Sequence, residues 1–487
     1  MNNWLGYIIF SLFAVGVAWL MANNLLIGIG FTGLILALTI ALICLLSTEA
    51  GLYILMTYSF FVNFFSRFLF EGGVQAGIFS DILILITFLS LVVRRVNFRQ
   101  SINAFTKAPA VVMLLLVYCY MAIELFNPSA LSFNGWFQAF RKILGTLFIL
   151  FISFNLFNSY ARIRRFMIVL FCICCIAALY GCIQQWHGLF NFEMDWIMSH
   201  PHEYGLIFID GEFRKFSTMS DPCAYAMVMA ACSVFYMAVA GGKKRALTKF
   251  ILTMGVLLML LGGSYSGIRT ANGMVIAGLV MFILLTFDRK SSRILSLIAG
   301  FIFLFLMYAP IYTPNVEHFR ATFKGTKDES YNVRDVNRKS VQPYIYTHPI
   351  GGGLGTTGAE GLAFNPGHEL AGFPPDSGLL KKALEIGWIG FTMLCVLYFL
   401  ILRTGIQGYF ACRNEKIKLI YAGVTSAIYA FYLGDFSQEA IGQISDVVIY
   451  YPFIAILLRL KEFDQSNSGQ SKSDQSKSDQ SIKTTTA

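Results

Sequence analysis

Apolar runs long enough to cross a bilayer follow one another along most of this 487-residue chain, each reaching the roughly 20 residues that a spanning helix needs. Hydrocarbon offers the backbone no water to bond, so each run must satisfy its own amides, and a helix does so within one segment. The runs are continuous and do not alternate, which sets aside a β-barrel. Only 13% of the residues are charged, about half of the ~25% usual in soluble domains. The spacing predicts an all-α polytopic membrane protein with about 12–14 transmembrane helices. Expected spans are 4–22, 25–46, 50–69, 76–94, 108–126, 136–157, 166–186, 223–241, 249–263, 268–287, 293–312, 384–403, 418–434 and 446–460.

The net charge of +10 would suit nucleic acid if it formed one basic face. It is divided among short loops instead: Arg94, Arg95 and Arg99; Arg162, Arg164 and Arg165; Lys243, Lys244 and Arg245; Arg289, Lys290 and Arg293; and Arg403, Arg413, Lys416 and Lys418. That is the positive-inside pattern of cytoplasmic loops. It puts the N-terminus inside and argues against a nucleic-acid partner. The turn near Ser47–Ala50, expected inside, has no basic residue. The run from Trp4 to Met21 lacks a basic n-region and reads as a retained first span. Cysteines such as Cys172, Cys174, Cys175 and Cys182 lie within apolar runs, with neither a disulfide framework nor a zinc signature.

The chain divides into N-terminal spans (1–126), central spans with an outer loop at 187–222 (127–312), a large outer loop (313–383), C-terminal spans (384–462) and a polar tail (463–487). The tail repeat SKSDQSKSDQS reads as disordered and cytoplasmic. The large loop is too long to be mere connection, and such loops are usually functional or disordered. Its Gly, Pro, His, Arg and Asp content points to an ordered, site-forming segment. No internal repeat of the transporter kind is visible.

All six histidines, His187, His200, His202, His318, His348 and His368, fall in expected outer segments. Arg67, Asp81, Glu124, Arg141, Arg269 and Glu385 also gather toward the outer ends of spans. Charge in a bilayer is costly and tends to line a cavity. The distribution suggests a one-sided cavity and an enzyme acting at the outer leaflet. Arg67 and Glu124 read as snorkelling to the interface. Asp81 reads as an interhelical hydrogen-bond partner. Arg141 lies inside its span and reads as functional. Arg269 opens a helix, where a cation opposes the macrodipole, so an anionic partner is expected.

Gly353-Leu354-Gly355-Thr356-Thr357-Gly358 is formally GxGxxG, but no strand precedes it and no βαβ unit surrounds it. Its glycines read as a tight turn approaching a ligand or a neighbouring helix. His200-Pro201-His202-Glu203 lacks an apparent third metal ligand, so no metal and no cofactor are expected. Asp435, Glu439 and Asp446 read as a solvated rim.

THPIGGGLGTTG followed by PPDSGLLKKALEIGWIGF resembles the O-antigen ligase and polymerase family of bacterial envelope biogenesis. The matching positions are Arg334, Pro349, Gly353, Gly355, Glu385, Gly387 and Gly390. SYSGIRTA resembles that family's Ser-Arg turn through Arg269, STMSDPCAYA its Pro-containing helix start, and NGWFQAFRKIL its Gly-x-Arg segment. Together they cover residues 130 to 400 or so, in the family's order. One departure stands out: Asp376-Ser377 occupies the place of a His-Asn pair, which also weakens ligase against polymerase.

The resemblance implies a GT-C-like, metal-independent glycosyltransferase in the bacterial inner membrane, its site facing the periplasm. The donor would be an undecaprenyl-diphosphate-linked glycan, and the acceptor a hydroxyl of lipid A-core or another glycan. A polymerase joining lipid-linked repeats is the close alternative; a lipid-linked oligosaccharide transporter and an envelope scaffold are the others. Arg141, Arg269 and Arg334 would clamp the diphosphate, since guanidinium binds phosphate bidentately and stays charged. Asp376 is the first candidate for general base, with His368 and His348 open. Arg338, His348, Gly353 and Gly355 complete the expected substrate contacts. Asp376 also reads as a helix N-cap, and Arg334 and Arg338 as tethers to Glu329, Asp335 or Glu360.

Overall fold

The computed structural model describes residues 22–485 other than 71, 73–75, 131, 210, 243, 312, 322 and 324–328, together with 4, 11, 16, 18 and 19. Side chains at 25, 26, 76, 291, 314, 315, 318, 321, 329–334 and 465–485 lie outside that description.

The protein is all-α and multi-pass. Its helices are α1 (Leu25–Leu46), α2 (Thr48–Phe70), α3 (Ala76–Val93), α4 (Phe98–Phe105), α5 (Pro109–Ile123), α6 (Phe133–Leu156), α7 (Tyr160–Trp186), α8 (Asn191–Ser199) and α9 (Pro201–Ile207). A two-residue hairpin, β1 (Phe208–Ile209) and β2 (Glu212–Phe213), leads into α10 (Pro222–Ala240), α11 (Ala246–Ser264), α12 (Arg269–Leu285), α13 (Lys290–Tyr308) and α14 (Pro314–Ala321). Then come α15 (Glu329–Thr347), α16 (Gly358–Phe364), α17 (Gly378–Ala411), α18 (Glu415–Ser437) and α19 (Ile444–Thr485).

Among the described residues nine helices are long and apolar enough to span: α1, α2, α5, α6, α7, α10, α11, α17 and α18. α3 and α4 are bent by 118° into one broken pair. With the bent pair counted as one span the number among these residues is ten, against the 12–14 expected for the whole chain. α12 and the apolar part of α13 are too short. The span expected at 4–22 lies almost wholly outside the described residues. α19 contains the span expected at 446–460 and continues to Thr485, carrying helix into the tail that composition reads as disordered.

α10 and α18 form the centre, with 89% and 83% of their apolar windows buried, against 6% for α1 at the edge. Small residues let these backbones approach, as expected where packing rather than hydrophobic exclusion joins helices. Gly278 of α12 faces Val234, and Gly423 of α18 faces Phe235 and Ala238. The turn at Ser47–Ala50 does belong with the basic loops: Arg165 pairs with Glu49 at 2.8 Å, and Arg94 donates to the Leu46 carbonyl at 3.3 Å. The missing local cation is supplied by two other helices.

Two interface readings are corrected. Arg67 is 4% exposed and donates to the carbonyls of Met219 and Ser220, with its guanidinium over Phe216 and Trp196. Glu124, equally buried, accepts from Asn127 at 2.6 Å. Neither snorkels, because each has found protein partners that replace water.

Candidate functional site

The large loop is anchored to a break in α17. At Gly387 the backbone turns to φ 63°, ψ −178°, a region open almost only to glycine. The break releases carbonyls from the helical ladder, and an unmet buried carbonyl costs several kcal/mol. The loop's glycine turn supplies the donors: Gly352 N–H bonds to Leu384 O and Gly353 N–H to Glu385 O, both at 2.8 Å. In return Ile389 N–H bonds to Pro349 O at 3.2 Å, and Tyr120 OH caps Ile386 O at 3.0 Å. From the other side Asn127 donates to Ile350 O and Gly351 O. The buried Glu385 carboxylate accepts from Thr357 OH at 2.6 Å. Pro349, Gly353, Gly355, Glu385 and Gly387 are thus one unit.

This corrects the role given to two glycines. A Cβ on Gly353, whose φ is +93°, would lie 2.4 Å from Ala130 Cβ, and one on Gly355 would lie 2.9 Å from Gly135 O. They face protein, as the neighbouring-helix reading of the turn has it, and Gly353's N–H is already used.

A second convergence lies at the end of α18. Ser377 OH donates to Asp435 O at 3.2 Å. Arg338 donates to Phe436 O at 3.2 Å and lies 4.9 Å from the centre of the Phe436 ring. Thr270, next to Arg269 on the first turn of α12, shares a 2.9 Å hydrogen bond with Ser437 OH. A helix's last carbonyls lack intrahelical donors and carry partial negative charge, so this end attracts hydroxyls and cations. Asp376 sits beside it, half-buried, accepting from Asn337 at 3.3 Å. The N-cap of α17 is Ser377, which accepts from Leu380 N–H at 3.3 Å, so Asp376 does not cap. Arg338 tethers the loop to α18, and among the described residues no acidic side chain pairs with it.

Asp435 and Asp446 are fully buried, which corrects the solvated-rim reading for these two, while Glu439 is exposed. Asp435 pairs with Lys382 at 2.6 Å and accepts from Tyr398 OH at 3.1 Å. Beside it Glu360 bridges Lys142 at 2.5 Å and Lys381 at 3.5 Å, and Lys381 reaches Glu439 at 3.4 Å. Burial pushes the Glu360 carboxyl upward, but the ammonium groups of Lys381 and Lys142 outweigh it and hold the group below its ordinary range.

Of the three arginines of the expected clamp, the side chains of Arg141 and Arg269 are described. Arg141 is paired with Asp81 at 2.6 Å, so Asp81 is an interhelical partner and Arg141 is its counter-ion. The Arg334 side chain lies outside the described residues, as does that of His318. Arg269 is half-buried at the start of α12.

The third feature is a cavity of about 460 Å³ whose lining includes Ser129, Ser132, Tyr344, His348, Asn365 and His368. Hydrogen bonds distinguish its two imidazoles. His348 Nδ1 lies 3.0 Å from Tyr344 O. A carbonyl only accepts, so this contact suits a proton on Nδ1, which in the neutral ring leaves Nε2 as the acceptor. His368 Nδ1 accepts from Leu370 N–H at 3.1 Å, leaving Nε2 as donor. Burial lowers the His368 basicity, Glu369 opposing and His348 adding to the effect. With these partners the two rings differ: the His348 Nδ1 faces a carbonyl and the Thr347 hydroxyl, at 2.9 Å, whereas the His368 Nδ1 accepts a backbone N–H. Tyr344, pushed up to about 12 by burial and by Glu369, stays a phenol.

Among the described residues no cluster of His, Cys, Asp or Glu is arranged to hold a metal ion. The sequence reading gave no role to Lys142, Lys381, Lys382 or Tyr344, and named Glu360 only as a tether for the loop arginines. Tyr344 was legible as an aromatic four residues before His348, on the same helical face. The lysines gave no local signal, since their partners lie far away in the chain. No protein-family model matches this chain, and no curated protein matches it.

Proposed function

We propose that this protein moves a glycan from a polyprenyl diphosphate to an acceptor hydroxyl at the outer face of a bacterial inner membrane, in the manner of an O-antigen ligase. The acceptor oxygen attacks the anomeric carbon, the bond to the diphosphate breaks, and polyprenyl diphosphate departs with the electron pair. The acceptor's proton passes to a base.

One observation carries this reading. Motif pieces separated by some thirty residues, Pro349–Gly355 and Glu385–Gly390, interlock backbone to backbone. The same loop brings Asp376 and Arg338 to the end of α18, where α12 begins with Arg269 close by. Asp376, next to Ser377 at this helix end and half-buried, takes the role of base. His348 serves elsewhere: it lies eleven residues beyond Asn337, about 16 Å along a helix, too far to share a proton with Asp376. Arg269 and Arg338 stabilise the departing diphosphate, a term that grows where water is excluded. Apolar spans hold the lipid tail.

Complementing a strain deleted for this gene tests the reading, with surface glycans resolved on a gel. Wild type should move long chains from the polyprenyl carrier to the lipid core. If deletion instead leaves single repeats on the core, the acceptor is another lipid-linked repeat and the enzyme is a polymerase. If deletion changes neither pattern, the proposal fails.

A further inference from the structure

The cavity over the glycine turn differs in chemistry from the charged end of α18. Tyr344 and His348 stack at 3.9 Å with rings 9° from parallel, forming one aromatic slab. His368 meets Tyr344 edge-on at 6.3 Å between centroids. The polar groups around the slab are a phenol, two imidazoles, serine hydroxyls and the exposed Glu369 carboxylate. Asn365 is spent on structure: it accepts from Ser132 N–H at 3.0 Å and donates to Gly355 O at 3.2 Å. Among the described residues no lysine or arginine lines the cavity. An anionic ligand would therefore meet Glu369 without a compensating cation. An uncharged ligand with many hydroxyls fits, since the cavity alternates donors (Tyr344 OH, His368 Nε2–H) with acceptors (His348 Nε2, Glu369). A flat aromatic slab suits the apolar C–H face of a pyranose ring, the usual design of apolar body plus a few placed polar groups.

We propose that this cavity is a carbohydrate subsite that holds a pyranose unit away from the reacting bond. The identity of the glycan rests on the transferase reading above; the binding itself does not. The same chemistry would take a distal sugar of the lipid-linked donor or a sugar of the acceptor.

Gly352, packed against two of the lining side chains, gives a precise test. A methyl group on Gly352 would lie 2.7 Å from His368 Cε1 and 2.9 Å from Tyr344 OH. Saturation-transfer NMR on the full chain in lipid nanodiscs, free of glycosidic detergent, would use an uncharged methyl hexopyranoside as probe and inorganic pyrophosphate as the charged comparison. Wild type should transfer saturation to the sugar ring protons. Tyr344→Ala and Gly352→Ala should weaken the sugar's binding about tenfold or more, on the scale of one lost aromatic contact. Tyr344→Phe should lose less, which guards against a folding defect, and Lys339→Ala should change nothing. Displacement of the probe by lipid-linked glycan assigns the subsite to the donor, and displacement by lipid A-core assigns it to the acceptor. Absence of transfer, binding indifferent to Tyr344→Ala, or displacement by neither glycan overturns the proposal. Transferase failure with sugar binding intact would leave the subsite standing and remove only the reaction.

Discussion

The amide of Gly353 donates to the carbonyl of Glu385 at 2.8 Å, so a loop that follows α15 completes the hydrogen bonding of a membrane helix more than thirty residues later. Loop and span therefore form one structural unit, and disturbing either should disturb both.

Gly387→Ala tests that unit. Its Cβ would lie 2.2 Å from Pro349 O, on a backbone with φ +63°. We expect a loss of about 3 kcal/mol or more, from strain plus the lost donors. Gly367→Ala, which meets nothing within 4 Å, should lie within about 0.5 kcal/mol of wild type. Thermal unfolding in one detergent compares the two.

Much of the fold was legible because the physics is local. Run length and continuity gave helices, and Arg94, Arg165 and Arg289 marked one end of the bundle. The expected span at 76–94 is the first half of the bent pair α3–α4, and the one at 268–287 is a helix of only 17 residues, α12. The site was less legible. Gly353 and Gly355 were visible as a turn, but their target, the break at Gly387, is a tertiary fact. Asp435 looked exposed at the end of an apolar run because its partners, Lys382 and Tyr398, come from another helix.

Glu360 should make stability sensitive to acid. Its carboxyl is held below the ordinary range in the folded protein, so its contribution is present above the unfolded value of about 4.3 and fades as pH falls through the lower folded value. Glu360→Gln should cost about 1 kcal/mol near neutral pH, discounted for partial exposure. The gap from wild type should close below about pH 4. Unfolding followed across pH checks both the size and the direction.

Arg67→Met should destabilise by about 2–4 kcal/mol, since it leaves buried carbonyls of Met219 and Ser220 without donors. Arg67→Lys should recover little, because an ammonium cannot reproduce the fork. Equal stability of Arg67→Met and wild type in a chemical unfolding series would contradict this.

Among the catalytic candidates, Asp376→Ala should lower transfer by about 10²- to 10⁴-fold if it is the base. His368→Gln should leave the rate of the chemical step near wild type, because its Nδ1 lone pair is engaged with Leu370. Single-turnover rates at normal protein abundance separate the two.

The most direct measurement is the release of polyprenyl diphosphate by the purified full chain in nanodiscs, supplied with lipid-linked glycan and acceptor. The account predicts release in step with acceptor glycosylation, nearly abolished by Asp376→Ala and strongly reduced by Arg269→Ala. Folded wild-type protein that releases no polyprenyl diphosphate, or that carries the intact lipid-linked glycan across the bilayer, would contradict it.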